Sequence, residues 1–462
     1  MSHLSFSHNS HLPSLSQTPD VQLVLASSTA LPGYTAYGSL FRGSGSWVVL
    51  DSAAQVAVSD ATWASSGGLS DHLVLAARDT LYIVGGQGAG NPNLNQDTSA
   101  PLSAALWQYD TVYEAYTQLA SLPFPVTRFA AALVTNASGG ATALVVAGGI
   151  GGNAGTGTCF DPPSSCTASS GVMTTGGDAA NANPGRTGAR ISFKYSPATN
   201  TWATLPALTV PRSDACAVAI GTKVYVLGGY GEAYNISDAV EVLDTGNAVA
   251  TSWTQLARMP APRGDLNCVA YGAQIFVFGG FYDPDCALPA VGCFNGPQGG
   301  SALYNGTSKF SAQTFIFTPA TNTWTTGASM RYRRGDAAAA VLPGGRIVVA
   351  GGEHSDRTLD AKVPQHSVEM YYAADDAWAE KSPMPYPRFR FALAGVGSGA
   401  VYAVGGQQLC FASNNNCSLT ASNTVSVFYE LDHPDVFVQL RNGAPGNGGG
   451  LVTPGATSSE DA

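Results

Sequence analysis

Charged residues are scarce in this sequence. Only 11% of its 462 residues are Asp, Glu, Lys or Arg, against roughly 25% in an average soluble protein, and lysine occurs only five times. The formal net charge is -10, so the composition offers no basic surface for nucleic acid or for an anionic membrane. No apolar run reaches the roughly 18 residues that a membrane-spanning helix needs, so we expect no membrane insertion.

Helical periodicity is also missing, because no segment of useful length repeats its apolar residues with the period of a helix. The chain instead contains short apolar runs, rich in β-branched and aromatic residues and bounded by glycine and proline, which is the pattern of β-strands. With 54 glycines, 27 prolines and 45% hydrophobic residues, the sequence predicts an all-β fold with a large core and many turns.

One phrase, a short apolar run that ends in Gly-Gly, recurs six times. The intervals between the first glycines are 63, 80, 51, 72 and 54 residues, so the repeating unit is about 50 residues long and carries insertions of variable length. The six copies are LYIVGG (81–86), LVVAGG (144–149), VYVLGG (224–229), IFVFGG (275–280), IVVAGG (347–352) and VYAVGG (401–406).

Each Gly-Gly is followed by a loop, a further strand, an aromatic residue on an outer strand, a turn that contains arginine, and an Ala-rich run. The unit therefore reads as four short strands. A four-stranded sheet cannot bury both of its faces alone, but sheets packed radially can, and that arrangement is a β-propeller. The predicted outer-strand aromatic residues are Tyr116, Trp202, Trp253, Trp324, Trp378 and Phe437.

These repeats resemble the kelch family. The resemblance rests on the Gly-Gly pairs, on the Tyr195–Trp202 spacing (one residue shorter in Tyr372–Trp378) and on the arginine after the outer strand. It covers residues 72–440 and implies a kelch-type propeller of six four-stranded blades, the last one closed by residues 436–440. Residues 21–63 are also strand-rich. They form either a degenerate seventh blade, with Trp63 as its outer aromatic residue, or strands that brace the closure.

We expect one propeller domain over residues 21–440. The polar residues 1–20 and the Gly/Ser-rich residues 441–462 have the composition of flexible segments.

Six of the eight cysteines form three C-x6-C pairs, which lie in the loops after Gly-Gly in the second, fourth and sixth units. Free thiols and zinc ligands are the alternatives, but zinc sites favour closer spacing, so we interpret the pairs as disulfides. Each would stabilise its loop by roughly 2–3 kcal/mol in the chain-entropy model and would require an oxidising compartment. For Cys216 and Cys268, in Ala-rich inner strands, we predict buried free thiols. The predicted disulfides are Cys159–Cys166, Cys286–Cys293 and Cys410–Cys417.

N-glycosylation sequons agree with secretion. They occur at Asn136, Asn235 and Asn305, and also at Asn416, where the adjoining Cys417 would hinder modification. We therefore expect an extracellular or secretory-pathway protein, although residues 1–20 contain no apolar signal core.

Propeller topology places the arginine-bearing turns and the long insertions on the same face, and in three units an aspartate follows two residues after the arginine. We expect a ring of these charges near the channel mouth, which could hold a polar ligand such as a sugar or a peptide carboxylate. Repetition at equivalent positions favours the alternative, in which the arginines and aspartates pair across neighbouring blades and tie the ring together. The insertions are 87–103, 150–190, 281–312, 353–366 and 407–424. The candidate ligand-binding residues are Asp71, His72, Arg128, Arg212, Asp214, Arg263, Asp265, Arg334, Asp336 and Arg388.

Unit five offers a second candidate site, because Glu353, His354 and His366 lie in one loop. Carboxylate and imidazole ligands suit iron, manganese or zinc. Some kelch enzymes hold iron with an E-x3-D-x3-H motif, from which this loop departs because Arg357 stands in the place of the aspartate. The alternative is a solvated polar loop. We expect no cofactor unless this loop holds a divalent metal.

These features favour a monomeric, secreted or cell-surface kelch propeller that binds a protein or glycan partner through its loop-bearing face. The alternative is an extracellular enzyme that acts on a small polar or sugar substrate at the channel mouth, with or without the help of a metal. An intracellular adaptor is disfavoured by the cysteine pattern. We name no catalytic residue, because the sequence has no phosphate loop, nucleophile elbow or zinc-protease motif.

Overall fold

The computed structural model describes residues 34–37, 46–50, 68–88, 102–113, 115–151, 189–231, 236–247, 249–281, 310–356, 361–409, 419–421 and 425–429. These residues form six antiparallel sheets of four or five strands, which confirms the all-β, six-bladed propeller. Within these ranges there is no helix of the length and apolarity needed to cross a membrane.

Blades 1 to 3 each contain four strands, ordered from the channel outward. Blade 1 comprises Leu73–Ala77, Thr80–Val84, Leu106–Asp110 and Ala115–Gln118. Blade 2 comprises Ala130–Thr135, Ala141–Ala147, Ser192–Ser196 and Thr201–Thr204. Blade 3 comprises Cys216–Ile220, Lys223–Leu227, Val240–Asp244 and Thr254–Gln255.

Blades 4 to 6 follow the same plan, and blade 6 gains a fifth strand. Blade 4 comprises Asn267–Tyr271, Gln274–Phe278, Thr314–Thr318 and Thr323–Gly327. Blade 5 comprises Ala338–Leu342, Arg346–Ala350, Val368–Tyr372 and Ala377–Lys381. Blade 6 comprises Ala392–Gly395, Ala400–Val404, Val425–Tyr429, Ser46–Leu50 and Tyr34–Tyr37.

Blade 6 is closed by N-terminal strands. Ser46–Leu50 pairs antiparallel with Val425–Tyr429, and Trp47 lies opposite Phe428. The expectation that residues 436–440 close the last blade is therefore wrong, because residues 46–50 hold that place. Among the interpretations of residues 21–63, the bracing strands are confirmed for 34–37 and 46–50, and the seventh blade is wrong. Residues 436–440, with Phe437, and Trp63 lie outside the described residues.

The six innermost strands close into a circle around the channel, since each contacts the innermost strand of the next blade and the sixth contacts the first. The Gly-Gly pairs lie where the second strand of each blade ends, and all twelve of these glycines have positive φ. The backbone approaches closely here. A Cβ added to Gly229 would lie 2.4 Å from the carbonyl oxygen of Ser213, so a side chain at this position would clash.

Among the described residues, six hydrophobic clusters each join side chains of two neighbouring blades, and a smaller seventh cluster contains Tyr230, Phe281 and Phe310. The outer-strand tryptophans reinforce these seams, as predicted. Trp202 Nε1 donates a hydrogen bond to the Ala120 carbonyl (2.7 Å) and Trp324 Nε1 donates to the Ala257 carbonyl (3.0 Å). In blade 6 the equivalent donor is Trp47, whose Nε1 reaches the Ser382 carbonyl at 3.0 Å.

A disulfide crosses the seam between blades 3 and 4. It joins Cys216 and Cys268, whose Cα atoms are 5.9 Å apart. The prediction of free thiols at these positions is wrong, because the inner strands of neighbouring blades run close enough together for the two side chains to meet. The three predicted C-x6-C disulfides lie outside the described residues.

Candidate functional site

Six residues at equivalent positions, one in each blade, surround the channel at one end. Each lies two residues before the innermost strand of its blade. We call this set the mouth ring. Its members are Asp71, Arg128, Asp214, Asp265, Asp336 and Arg390.

The mouth ring is held by its backbone. All six residues have φ between 48° and 54°, a left-handed conformation that aspartate adopts more readily than most residues. Five backbone hydrogen bonds run from one ring residue to the next, for example from Asp214 N to Arg128 O (2.8 Å) and from Arg390 N to Asp336 O (2.9 Å). Arginine is unusual in this conformation, and outliers of this kind concentrate at functional sites.

Two arginines link the aspartates across blades. Arg128 places Nε 3.6 Å from Asp71 Oδ1 and Nη1 3.7 Å from Asp214 Oδ1. Arg390 places Nε 3.6 Å from Asp71 Oδ1 and 3.0 Å from Asp336 Oδ2. The predicted pairing across neighbouring blades therefore occurs, but Arg128 and Arg390 make it. Four carboxylates against two guanidiniums give the ring a formal charge of -2.

The negative charge is concentrated on blades 3 to 5. Asp214, Asp265 and Asp336 each offer a carboxylate oxygen, and these three oxygens lie within 4.8 Å of one another. The Tyr230 hydroxyl donates a 2.7 Å hydrogen bond to Asp265 Oδ2. Its ring lies over Gly264, where a Cβ would overlap the aromatic carbons. Tyr230 thus reaches across from blade 3 to the ring position of blade 4.

The pKa shifts report this crowding of carboxylates. Burial raises the pKa of the Asp214 carboxyl, the neighbouring Arg128 lowers it, and the nearby Asp336 raises it again. Burial raises the pKa of the Tyr230 hydroxyl well above its usual range, and Asp265 raises it further. Burial lowers the pKa of Arg390, but four carboxylates, with Asp71 first and Glu353 among them, raise it well above its usual range overall.

The other repeated arginines lie inside the blades rather than at the mouth. Arg212 is fully buried and places Nη2 2.6 Å from Glu241 Oε2. Arg334 is equally buried, and its Nη2 lies 2.7 Å from Glu369 Oε2 while Nη1 donates to the Gly351 carbonyl at 2.7 Å. These guanidiniums are held by groups of their own blade, and we place them outside the candidate site.

Arg263 and Arg388 are buried in the same way, and neutral groups are among their partners. Arg263 donates to Gln313 Oε1 at 2.5 Å, and its guanidinium lies 5.0 Å from the centre of the Phe315 ring. Arg388 donates to the Ser426 hydroxyl at 3.1 Å. Both arginines are buried, so neither presents its charge to a ligand at the mouth.

Arg128 is not equivalent to the other repeated arginines, although the sequence pattern groups it with them. Arg128 lies two residues before the inner strand of its blade, whereas Arg212 lies four residues before its own. Val126 is the residue that corresponds to Arg212. Arg390 was missing from the predicted site residues. The two-residue offset was the signal that could have found it, because it follows Arg388 as Asp214 follows Arg212.

The predicted histidines do not join the mouth ring. His72 is 2% exposed, and burial lowers its pKa to about 3. In unit five, Glu353 is buried, His354 is half-buried and His366 is exposed. Within the described ranges, the group of three potential metal ligands that comes together is Asp214, Asp265 and Asp336, and Glu353, His354 and His366 do not form such a group.

The mouth ring lies on the face from which the insertions leave the blades. Residues that directly follow Gly-Gly pair with the backbone just before each ring residue, for example Tyr230 with Ser213 and Glu353 with Gly335. Two insertions contain short hairpins, Glu353–Asp356 with Ala361–Pro364 and Gln407–Leu409 with Leu419–Ala421. We call this side of the propeller the loop face.

Comparison with known proteins agrees with this architecture. A family model described as the KLHDC2/KLHL20/DRC7 Kelch-repeats domain matches residues 162–406, just over half of the chain. The chain therefore belongs to the kelch-repeat family. It is similar to the solved structure of YjhT, with a TM-score of 0.52 at 13% identity over 78% of this chain and 94% of that one. This likeness concerns the fold alone.

Among curated proteins, the chain is 26% identical over 229 residues to Kelch-like protein terF of Aspergillus terreus, which covers 47% of this chain and 45% of that protein. It is 22% identical over 245 residues to beta-scruin of Limulus polyphemus, covering 52% and 24%. It is 29% identical over 200 residues to Kelch-like protein 25 of Xenopus tropicalis, covering 43% and 30%. The chain thus spans less than half the length of each of these relatives.

Proposed function

We propose that this kelch propeller is a protein-binding module and that it binds its partner through the loop face. The observation that carries the proposal is the mouth ring, which gathers six charged side chains around the channel on the face where the insertions begin. Membership in the kelch family supports a protein partner. A glycan is the alternative occupant of the same face.

Selection from a random peptide library against the immobilised protein tests the proposal. A photo-crosslinking residue is introduced at His366, which is exposed on the loop face, or at Tyr113, which is 79% exposed in a turn on the opposite face. Selected peptides should crosslink to the His366 variant and not to the Tyr113 variant. Peptides that crosslink only at Tyr113 would contradict the proposal, and so would a failure to select peptides combined with binding on a glycan array.

We also propose that the protein works in an oxidising compartment. The Cys216–Cys268 disulfide supports this, as does the exposed position of the sequon residue Asn136 beside a turn. Thiol labelling of the non-reduced protein, secreted from a eukaryotic host, should find no free cysteine. Labelling of all eight cysteines would contradict this location.

A further inference from the structure

We infer that the mouth ring binds a cationic side chain, the guanidinium of an arginine in the protein partner. The inference rests on the proposed function and adds the chemistry of the recognised group.

Charge favours a cationic ligand. The ring has a formal charge of -2 in a chain whose net charge is -10. Its charged side chains are largely withdrawn from water, with 3% exposure for Asp71 and 5% for Asp214, and charges interact more strongly where water is excluded. This field attracts cations and disfavours the peptide carboxylate considered from the sequence.

Unused hydrogen-bonding groups beside the ring support the same ligand independently. The Thr127 hydroxyl and the Gln87 Oε1 atom are both buried, at 1% and 5% residue exposure, and neither has a hydrogen-bond partner among the residues that the structure describes. A buried polar group without a partner costs roughly 1–3 kcal/mol, so its presence calls for an explanation. A donor-bearing ligand supplies one.

Equivalent positions show where these two side chains belong. Thr127 directly precedes ring residue Arg128. In two other blades the residue at this position donates its hydroxyl to the ring aspartate that follows it, Ser70 to Asp71 and Ser213 to Asp214. Arginine has no acceptor atom, so Arg128 cannot receive a hydrogen bond from Thr127.

Gln87 corresponds to Gln407 and Tyr230, since each directly follows a Gly-Gly pair. From this position Gln407 donates to Ser70 in the next blade (3.2 Å) and Tyr230 donates to Asp265 in the next blade (2.7 Å). Side chains at this position therefore reach either the ring residue of the following blade or the residue directly before it. For Gln87 the following blade contributes Thr127 and Arg128.

A guanidinium matches this set of groups. It carries five N–H donors in a plane, and carboxylates are its preferred partners. The ring offers three carboxylate oxygens within 4.8 Å of one another, and Gln87 Oε1 is a further acceptor. A neutral ligand would leave the excess negative charge of the ring uncompensated.

Titration with two small probes, followed by ligand-detected NMR, tests the inference. The probes are acetyl-arginine amide and its neutral isostere, acetyl-citrulline amide. We expect the arginine probe to bind the wild-type protein at least tenfold more tightly than the citrulline probe, because hydrogen bonds to a charged group are the stronger ones. Equal affinity for the two probes, or no binding of either, would overturn the inference.

Variants assign the binding to the ring. Asp265→Asn keeps an acceptor for Tyr230 and should weaken arginine-probe binding about tenfold or more. Asp214→Asn serves as a second variant, because asparagine tolerates a left-handed backbone, and far-UV circular dichroism checks that each variant folds. The matched control is Glu380→Gln, whose carboxylate binds Arg331 on the outer surface of blade 5 and whose replacement should leave affinity unchanged.

Thr127→Val separates binding from structure. Since the hydroxyl has no hydrogen-bond partner in the described ranges, its loss should leave the unfolding temperature unchanged or raise it, yet it should weaken arginine-probe binding several-fold. Unchanged affinity in Thr127→Val and in Asp265→Asn would overturn the inference. It would also be overturned if the arginine probe failed and calcium ions alone raised the unfolding temperature of the wild type but not of Asp265→Asn.

Failure of this inference is distinguishable from failure of the proposed function. Peptides that crosslink at His366 but contain no arginine would overturn the inference and leave the protein-binding module intact. Binding of the arginine probe at the ring, without any selected peptide on the loop face, would support the cation site and contradict the protein-binding module.

Discussion

His72 gives the propeller a specific sensitivity to acid. Its imidazole is 2% exposed, and neither ring nitrogen has a hydrogen-bond partner within the described part of the chain. Burial lowers its pKa from 6.5 to about 3. His72 follows a ring residue directly, and in the five other blades that position is apolar, with a large side chain in three of them, Phe129, Leu266 and Phe391. Substitution His72→Phe therefore places an apolar side chain where other blades already carry one.

The magnitude follows from proton linkage. Because the pKa of His72 is depressed in the folded protein, below about pH 6.5 the unfolded chain takes up a proton that the folded chain does not. Stability is therefore lost as the pH falls from about 6.5 towards about 3. Each pH unit in this window costs about 1.4 kcal/mol, so the wild type should lose about 2 kcal/mol between pH 6.5 and pH 5 through this residue.

Urea unfolding followed by tryptophan fluorescence at pH 7.5 and pH 5 measures the effect. The stability advantage of His72→Phe over the wild type should be about 2 kcal/mol larger at pH 5 than at pH 7.5. The exposed His366→Asn variant is the control and should show no such change. If the stability advantage of His72→Phe were the same at both pH values, His72 would titrate alike in the folded and unfolded chain. That result would contradict a pKa depressed by burial.

Two further predictions concern the stability of the propeller. Replacing Cys216 and Cys268 by alanine should lower the free energy of unfolding by about 4 kcal/mol, the chain-entropy value for cysteines 52 residues apart, and equal urea midpoints for the reduced and oxidised wild type would contradict this. Arg334→Met should cost about 3–5 kcal/mol because Glu369 stays buried without its cation. Adding Glu369→Leu should recover most of that loss in the same urea assay, and a double variant as unstable as the single one would count against the ion-pair account.

The repeat pattern in the sequence was sufficient to predict the strands of the blades. The six Gly-Gly pairs marked the end of each second strand, where the backbone must approach its neighbours closely. The outer tryptophans marked the fourth strand of most blades, because large aromatic side chains fill the seam between blades. The inner Ala-rich runs were correctly assigned for the same reason. These features repeat because every blade presents the same packing problem.

The strand that closes blade 6 could not be predicted from the repeat pattern. Residues 46–50 and 436–440 are both strand-like, and which of them pairs with Val425–Tyr429 depends on contacts between distant parts of the chain. Trp47 could have indicated the closing strand, because it occupies in blade 6 the place of the outer-strand tryptophans of other blades. The Cys216–Cys268 disulfide was missed because it depends on the spacing between blades.

The mouth ring was partly predictable. Asp214, Asp265 and Asp336 were recognised as equivalent because each follows an arginine by two residues, and the structure brings these three together. Asp71 was predicted as the analogous residue of the first unit. Arg212 and Arg334 were among the predicted ligand candidates, and the structure buries them against Glu241 and Glu369. Their position beside a turn in the sequence gives no sign of this pairing. Tyr230 could not be anticipated, since its role depends on reaching into the next blade.

A crystal structure of the protein in complex with a peptide selected from the random library would show directly where a partner binds. We expect the peptide to lie on the loop face, with an arginine side chain contacting the mouth ring at Asp214, Asp265 or Asp336. A peptide bound to the outer edge of a blade, or to the face that carries Tyr113, would contradict binding through the loop face.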